Sequence, residues 1–135
     1  MRAYLQQAFA LPTLEAELVE QTIIYLLDHE DEVTNGYAKL NTATREHCVT
    51  GTKPIELVRL YARANHTGQG IGSRLLEACF DAARTERHDV IWLGVWEFNP
   101  RAVKFYERWG FERVGAHTFH LGSDAQVDWI FQRRL

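Results

Sequence analysis

Three glycines at alternate positions, Gly68, Gly70 and Gly72, lie between a predicted strand and a predicted helix. Glycine adopts positive φ angles without steric cost and allows a bound molecule to approach the backbone closely. The first turn of the following helix has backbone N–H groups without intrahelical acceptors, and the helix dipole adds partial positive charge there. The sequence therefore predicts a phosphate or diphosphate site at this turn. Its candidate residues are Thr67, Gly68, Gln69, Gly70, Ile71, Gly72 and Ser73.

Three kinds of nucleotide site compete for this turn. The dinucleotide-binding fingerprint G-x-G-x-x-G differs in its last spacing from the G-x-G-x-G found here, and the acidic residue it requires after a second strand is missing. A P-loop requires a lysine after its last glycine, and none follows Gly72. A loop for the diphosphate of coenzyme A remains, beside the alternative that the glycines only form a tight turn between strand and helix.

Hydrophobic periodicity identifies the elements around this turn. Residues 55–62 predict a strand before it, and an apolar stripe over residues 71–83 predicts a helix after it. Residues 90–97 are apolar on both faces, which is typical of a central strand. Asn99 and Pro100 predict the N-cap and first position of a second helix. The β-α-β unit predicts parallel pairing of its two strands.

The remaining segments predict a mostly antiparallel sheet, which completes a mixed α/β fold. The predicted order of elements is α-α-β-β-β-α-β-α-β-β. The segments are two short helices over 4–20, strands over 22–27 and 33–41 with a bend at Asn35-Gly36, and a closing hairpin over 111–121 and 126–134.

Length and composition indicate one ordinary globular domain over residues 1–135, which is 46% hydrophobic and 24% charged. The net charge of −3 disfavours a nucleic-acid partner, since phosphate binding favours a basic excess. The two cysteines form no C-x-x-C pattern and predict a reducing cytoplasm. We expect no membrane association, because no apolar run reaches spanning length and residues 1–20 do not form a signal peptide.

Residues 55–111 resemble the GNAT (Gcn5-related) N-acetyltransferase family. The resemblance implies the GNAT acyl-CoA N-acyltransferase fold, with acetyl-CoA as co-substrate. Thr67 stands where the family's phosphate loop opens with Arg or Gln, which reduces a side-chain contact but leaves the backbone N–H groups available. The segments that carry the resemblance are residues 60–62, 67–72, 99–102 and 105–111.

A closer resemblance, over most of residues 4–135, is to the PaiA-type spermidine/spermine acetyltransferases. It implies that the acceptor is a polyamine or a similar small cationic amine. Such proteins usually begin with another strand and helix, so we expect this chain to lack them. The strand over 22–27 would then be an unprotected edge, and a homodimer is predicted to cover it. The segments that carry this resemblance are residues 92–97, 99–100, 115–119 and 126–128.

The GNAT resemblance also implies roles for individual residues. The strand over 55–62 is expected to bulge, and its backbone at Leu60, Tyr61 and Ala62 to bind the pantetheine arm and the acetyl oxygen. The next strand is expected to splay away and open a V-shaped cleft. Asn99 matches the family asparagine beside the coenzyme, and Tyr106 matches the tyrosine that acts as general acid toward the thiolate. The alternative for Tyr106 is a packing aromatic on its helix.

Two carboxylates compete for the role of general base. Glu56 lies on the coenzyme-binding strand, on the predicted face opposite Tyr61, and Glu97 ends the splayed strand. Either would also attract a cationic amine. The alternative for each is a solvated carboxylate at a strand end. Trp96 is a candidate to flank the acceptor site.

Two other functions fit the same coenzyme-binding pattern. The first is acetylation of a protein N-terminus or lysine, and the second is an acyl-CoA-binding module without catalysis. A metal site is not expected, because His117 and His120 face opposite sides of their predicted strand and no third ligand stands at fitting spacing.

Overall fold

The computed structural model describes residues 2–6, 22–30, 33–63 and 70–135. No helix in these ranges combines the length and the apolar character needed to cross a membrane. The predicted mixed α/β fold is confirmed. The described elements are β1 (Arg2–Gln6), β2 (Ile23–Glu30), β3 (Val33–Asn41), β4 (Pro54–Ala62), α1 (Ile71–Thr85), β5 (Val90–Trp96), α2 (Pro100–Arg108), β6 (Glu112–Leu121) and β7 (Asp124–Arg134).

The described strands form one sheet in the order β1-β2-β3-β4-β5-β7-β6. β4 and β5 are parallel, as the predicted β-α-β unit required, and the other described pairs are antiparallel. Both helices pack on one side of the sheet, the helix face, which includes Leu40, Leu57 and Leu93. The other side, the opposite face, includes Glu56 and Asp128. The buried stripe of α1 is the predicted one: Ile71, Leu75, Leu76, Cys79, Phe80 and Ala83.

Residues 4–6 belong to a strand, although they were predicted to begin a helix. β1 pairs antiparallel with β2, so the sheet satisfies its backbone N–H and C=O groups. The predictions that the first strand is missing and that residues 22–27 form an unprotected edge are therefore wrong. The homodimer that was predicted to cover residues 22–27 thereby loses its stated reason, because β1 covers that strand within the chain. The rest of the predicted helical segment, residues 7–20, lies outside the described ranges.

β3 contains a bulge at Asn35, where the sequence predicted a bend. Gly36 pairs with Asp28 and Thr34 pairs with His29, so Asn35 is the extra residue of the bulge. The backbone C=O of Asn35 accepts a hydrogen bond from the N–H of Arg63 at 2.8 Å, just beyond the end of β4. The bulge therefore contacts the start of the connection to α1.

A second bulge, at Val58 in β4, reverses the alternation of side chains along that strand. Leu57 and Arg59 pair with consecutive residues of β3, so Val58 is the extra residue. As a result, Glu56 and Tyr61 both lie on the opposite face of the sheet. The prediction that they face opposite sides is wrong, because strict alternation holds only in a strand without a bulge. The bulge itself was expected from the family resemblance.

Gly36 lies against backbone that a larger residue would displace. A Cβ atom at this position would lie 2.5 Å from the carbonyl oxygen of Tyr61 and 3.0 Å from Cγ2 of Ile71. We expect Gly36→Ala to lower the free energy of unfolding by about 1–3 kcal/mol, since overpacking forces neighbours apart. Gly94→Ala is the matched control, because its nearest contact would be at 3.5 Å. Equal losses for both variants in urea unfolding would contradict this explanation.

Candidate active site

β4 and β5 separate after a short stretch of parallel pairing. They pair over residues 54–56 and 90–92, and both strands continue beyond that point. The predicted splaying is thereby confirmed. A cleft of about 550 Å³ opens between the end of β4, the N-terminus of α1 and α2. The predicted site residues that line it are Leu60, Ala62, Gly70, Ile71, Gly72, Ser73, Asn99 and Tyr106.

The N-terminus of α1 forms the polar end of this cleft. Gly70 is the N-cap with φ +76°, a left-handed conformation that favours glycine, and no side chain caps the helix. The N–H of Arg74 donates to the carbonyl of Gly70 at 2.9 Å. By their position, the N–H groups of Ile71, Gly72 and Ser73 have no intrahelical acceptor, so they can bind an anion. The predicted ligands Thr67, Gly68 and Gln69 lie outside the described residues.

Asn99 and Pro100 start α2 as the sequence predicted. The side-chain oxygen of Asn99 accepts a hydrogen bond from the N–H of Ala102 at 3.3 Å, and Pro100 occupies the first turn. Asn99 itself is exposed at the border of the cleft. One side chain therefore caps the helix and contributes to the cleft wall.

Tyr106 lines the cleft and also packs against the core. Its ring meets those of Phe105 and Phe111 edge-on, with centroids 5.2 Å and 5.4 Å apart. Burial raises the pKa of the Tyr106 phenol to about 12, and the nearby Cys79 adds to the shift. The phenol is therefore protonated at neutral pH and can donate a hydrogen bond into the cleft. The packing role and the site role of Tyr106 coexist.

The predicted acidic and aromatic residues do not line the cleft. Glu56 is half-buried on the opposite face, at the last paired position of β4, where its Oε1 accepts a hydrogen bond from Thr44 Oγ1 at 2.5 Å. Glu97 follows β5, and its backbone N–H donates to the carbonyl of Val127 at 3.1 Å. Trp96 is 45% exposed. Glu56 and Trp96 thus border the separating strands on the side away from the helices, and Glu97 follows directly after Trp96.

The side chain of Tyr61 also points away from the cleft. It is 50% exposed, and its ring centroid is 5.7 Å from that of Tyr37. Its neighbours Leu60 and Ala62 do line the cleft. A contact between Tyr61 and the coenzyme would therefore use the backbone, as the family resemblance implied.

Three charged residues near the site were missed by the sequence analysis. Arg101 and Arg108 line the cleft from α2 and bring positive charge to it. Their spacing of seven positions, which places them on one side of a helix, was the available signal. Asp128 lies on the opposite face next to Gly94, and burial raises the pKa of its carboxyl. No local pattern marks Asp128, because its position depends on the pairing of β7 with β5.

Within the described ranges, no group of three or more His, Cys, Asp or Glu side chains is arranged to hold a metal ion. His117 instead lies 3.1 Å from Glu46, measured between Nδ1 and Oε1.

The sequence profile of the acetyltransferase (GNAT) family matches residues 3–111, and the chain belongs to this family. A relative from Lactobacillus delbrueckii subsp. lactis, described as an uncharacterized N-acetyltransferase, is 33% identical over 114 residues. That alignment covers 84% of this chain and 65% of the relative, so the chain spans just under two thirds of the relative's length.

Solved structures share the fold. A GNAT family acetyltransferase from Elizabethkingia anophelis, crystallised with acetyl-CoA bound, has a TM-score of 0.72 and 14% identity, over 99% of each chain. A ribosomal-protein-alanine N-acetyltransferase from Brucella melitensis has a TM-score of 0.73 and 22% identity, over 91% of this chain and 75% of its own. At these identities the likeness establishes the fold alone.

Proposed function

We propose that this chain is an acetyl-CoA-dependent N-acetyltransferase whose acceptor is a polyamine or a similar small cationic amine. The observation that carries the proposal is the separation of β4 and β5 beside an uncapped helix N-terminus. Bound acetyl-CoA would supply an activated carbonyl carbon and a thiolate leaving group. Family membership and the likeness to an acetyl-CoA-bound structure support this choice of co-substrate.

The coenzyme would be held mainly by backbone groups. The first-turn N–H groups of α1 would bind its diphosphate, and Arg101 and Arg108 would add positive charge from α2. The end of β4 has backbone groups on its β5 side that no longer pair with β5. We assign these groups, at residues 60–62, to the pantetheine arm and the acetyl oxygen.

The chemistry requires an acceptor amine that has lost its proton, since an alkylammonium has a pKa of about 10. We assign Glu56 to accept that proton, directly or through water, while the amine nitrogen bonds to the acetyl carbon. The carbon–sulfur bond then breaks, and Tyr106 donates its hydroxyl proton to the sulfur. The second proton, which the nitrogen must lose to become an amide, passes through water to the Tyr106 oxygen and restores the phenol. Acid and base would thus act from the two faces of the sheet.

Several features on the opposite face support a cationic acceptor. Glu56 and Asp128 supply negative charge on this face, and Glu97 adds negative charge just beyond the end of β5. Trp96 and Phe98 are exposed, and their rings meet edge-on with centroids 5.5 Å apart. Exposed aromatic faces and carboxylates together favour an ammonium group. The resemblance to PaiA-type enzymes points to the same class of acceptor.

We also propose that residues 1–135 act as a single catalytic domain and that the reaction takes place in the cytoplasm. One continuous sheet through the described strands supports the first proposal. Cys48 and Cys79 are free thiols, which suits a reducing compartment and supports the second.

Replacing Tyr106 tests the proposed acid. We expect Tyr106→Phe to lower kcat by roughly 10²-fold or more and to leave the Kd for CoA nearly unchanged, because only the hydroxyl is removed. Since burial raises the pKa of the phenol to about 12, wild-type turnover should show no loss from its deprotonation below pH 10. Tyr61→Phe, which changes an exposed side chain, is the control. Unchanged turnover of Tyr106→Phe would remove this residue from the mechanism.

Replacing Glu56 tests the proposed base. We expect Glu56→Gln to lower kcat/KM by about 10²-fold, because an amide cannot accept the ammonium proton. Glu97→Gln and Asp128→Asn are the matched controls, because each removes one carboxylate near the separating strands. If either control loses turnover while Glu56→Gln keeps it, the base is that residue instead.

Acceptor profiling tests the substrate class. We expect release of free CoA thiol with spermidine and related amines, and little release with a panel of peptides bearing free N-termini or lysines. Acetylation of peptides alone would establish the alternative of a protein acetyltransferase, which the fold likeness to a ribosomal-protein-alanine enzyme keeps in view. Calorimetric binding of CoA without thiol release for any acceptor would identify a non-catalytic module. The non-catalytic module was considered mainly because the first strand was expected to be missing. The presence of β1 removes that reason.

A further inference from the structure

Both ends of the connection from β4 to α1 are attached to the hairpin formed by β2 and β3. At one end, the N–H of Arg63 donates to the carbonyl of Asn35 at 2.8 Å. At the other end, Arg74 in the first turn of α1 donates from Nη2 to Oδ2 of Asp28 at 3.0 Å. The segment that carries the glycine turn is therefore tied at two points to a part of the sheet that does not line the cleft.

The two points of attachment are adjacent in the hairpin. Asp28 pairs directly with Gly36, the residue that follows the Asn35 bulge. A Cβ on Gly36 would lie 3.0 Å from Ile71 and 3.1 Å from Leu75, so the missing side chain allows the first turn of α1 to rest on the hairpin. The ion pair of Asp28 with Arg74 and the close packing of α1 on Gly36 together hold the first turn of α1 in place.

Burying the Asp28 carboxylate in this contact carries a desolvation cost. Its side chain is fully buried, and in the described residues its second oxygen, Oδ1, has no hydrogen-bond partner. The desolvation of two charges offsets much of their attraction, and an apolar pair of similar volume would give comparable stability. What the ion pair adds is a defined direction and distance between β2 and α1.

We propose that Asp28 is a positioning residue for diphosphate binding, which acts through Arg74 to hold the first-turn N–H groups of α1 in their binding geometry. This inference rests on the proposed function. Thr67 provides no cation at the position where the family has Arg or Gln, and one N–H of Arg74 is committed to Asp28. The diphosphate would therefore be oriented mainly by backbone N–H groups, with Arg101 and Arg108 adding charge from α2. Hydrogen bonds from N–H groups weaken steeply when the direction of the N–H changes.

Coenzyme truncation separates this role from a general effect on folding. Acetyl-pantetheine carries the same thioester as acetyl-CoA but has no diphosphate. We expect Asp28→Asn to weaken CoA binding in calorimetry by about tenfold and to raise KM for acetyl-CoA to a similar extent, with kcat within about twofold. With spermidine as acceptor, kcat/KM for acetyl-pantetheine should stay within about twofold of wild type. Calorimetry needs no acceptor, so it tests the inference even if spermidine is not acetylated.

A double variant tests the proposal if Asp28→Asn does not fold because the half-buried Arg74 loses the charge of Asp28. Asp28→Leu combined with Arg74→Met removes both charges at similar volume, and we expect it to fold and to show the same selective loss for CoA. Arg84→Met is the control on the same helix, since it removes a contact with Asp81 at 3.9 Å and a cation–π contact 5.8 Å from the Phe80 ring centroid. Neither contact involves a residue that lines the cleft. We expect this control to bind CoA as the wild type does.

The possible outcomes separate the two proposals. Equal losses for acetyl-CoA and acetyl-pantetheine, or no loss for either, would overturn the positioning role of Asp28. A wild-type protein that does not bind CoA would overturn the proposed function instead.

Discussion

The end of β4–β5 pairing after Glu56 and Trp92 is the constraint on which the rest of the site depends. Two parallel strands that stop pairing leave backbone N–H and C=O groups facing each other across a gap. Such groups are costly to leave unsatisfied, so the gap favours an extended ligand that carries amides of its own. The pantetheine arm of CoA has that chemistry. The same separation frees the space in which α1 and α2 frame the cleft.

The bulge at Val58 adapts β4 to this gap. The bulge at Val58 lies just after the last position at which β4 pairs with β5, and it adds local twist where the strands diverge. The same bulge turns Leu60 and Ala62 toward the helices and leaves Glu56 on the opposite face. One extra residue thus places Leu60 and Ala62 on the cleft side of the sheet and Tyr61 on the side of Glu56.

Local signals in the sequence predicted the local parts of this structure. Two predicted features depend only on residues that are close in the sequence: the apolar stripe of α1 and the start of α2 at Asn99-Pro100. Both predictions are confirmed. β1 was mistaken for a helix, because its strand character comes from pairing with β2 and not from its own spacing. The Asp28–Arg74 contact joins residues 46 positions apart and left no local pattern. Such features depend on strand register and on contacts between distant residues, which the local patterns of a single sequence do not show.

The thiol of Cys79 lies fully buried on α1, near enough to Tyr106 to influence its ionisation. Burial raises the pKa of this thiol to about 12, so at neutral pH it holds its proton and is a poor nucleophile. An enzyme of this class would release a reactive coenzyme thiol at every turnover. A sulfur that is shielded and protonated in this way does not compete with the acceptor amine for the acyl group.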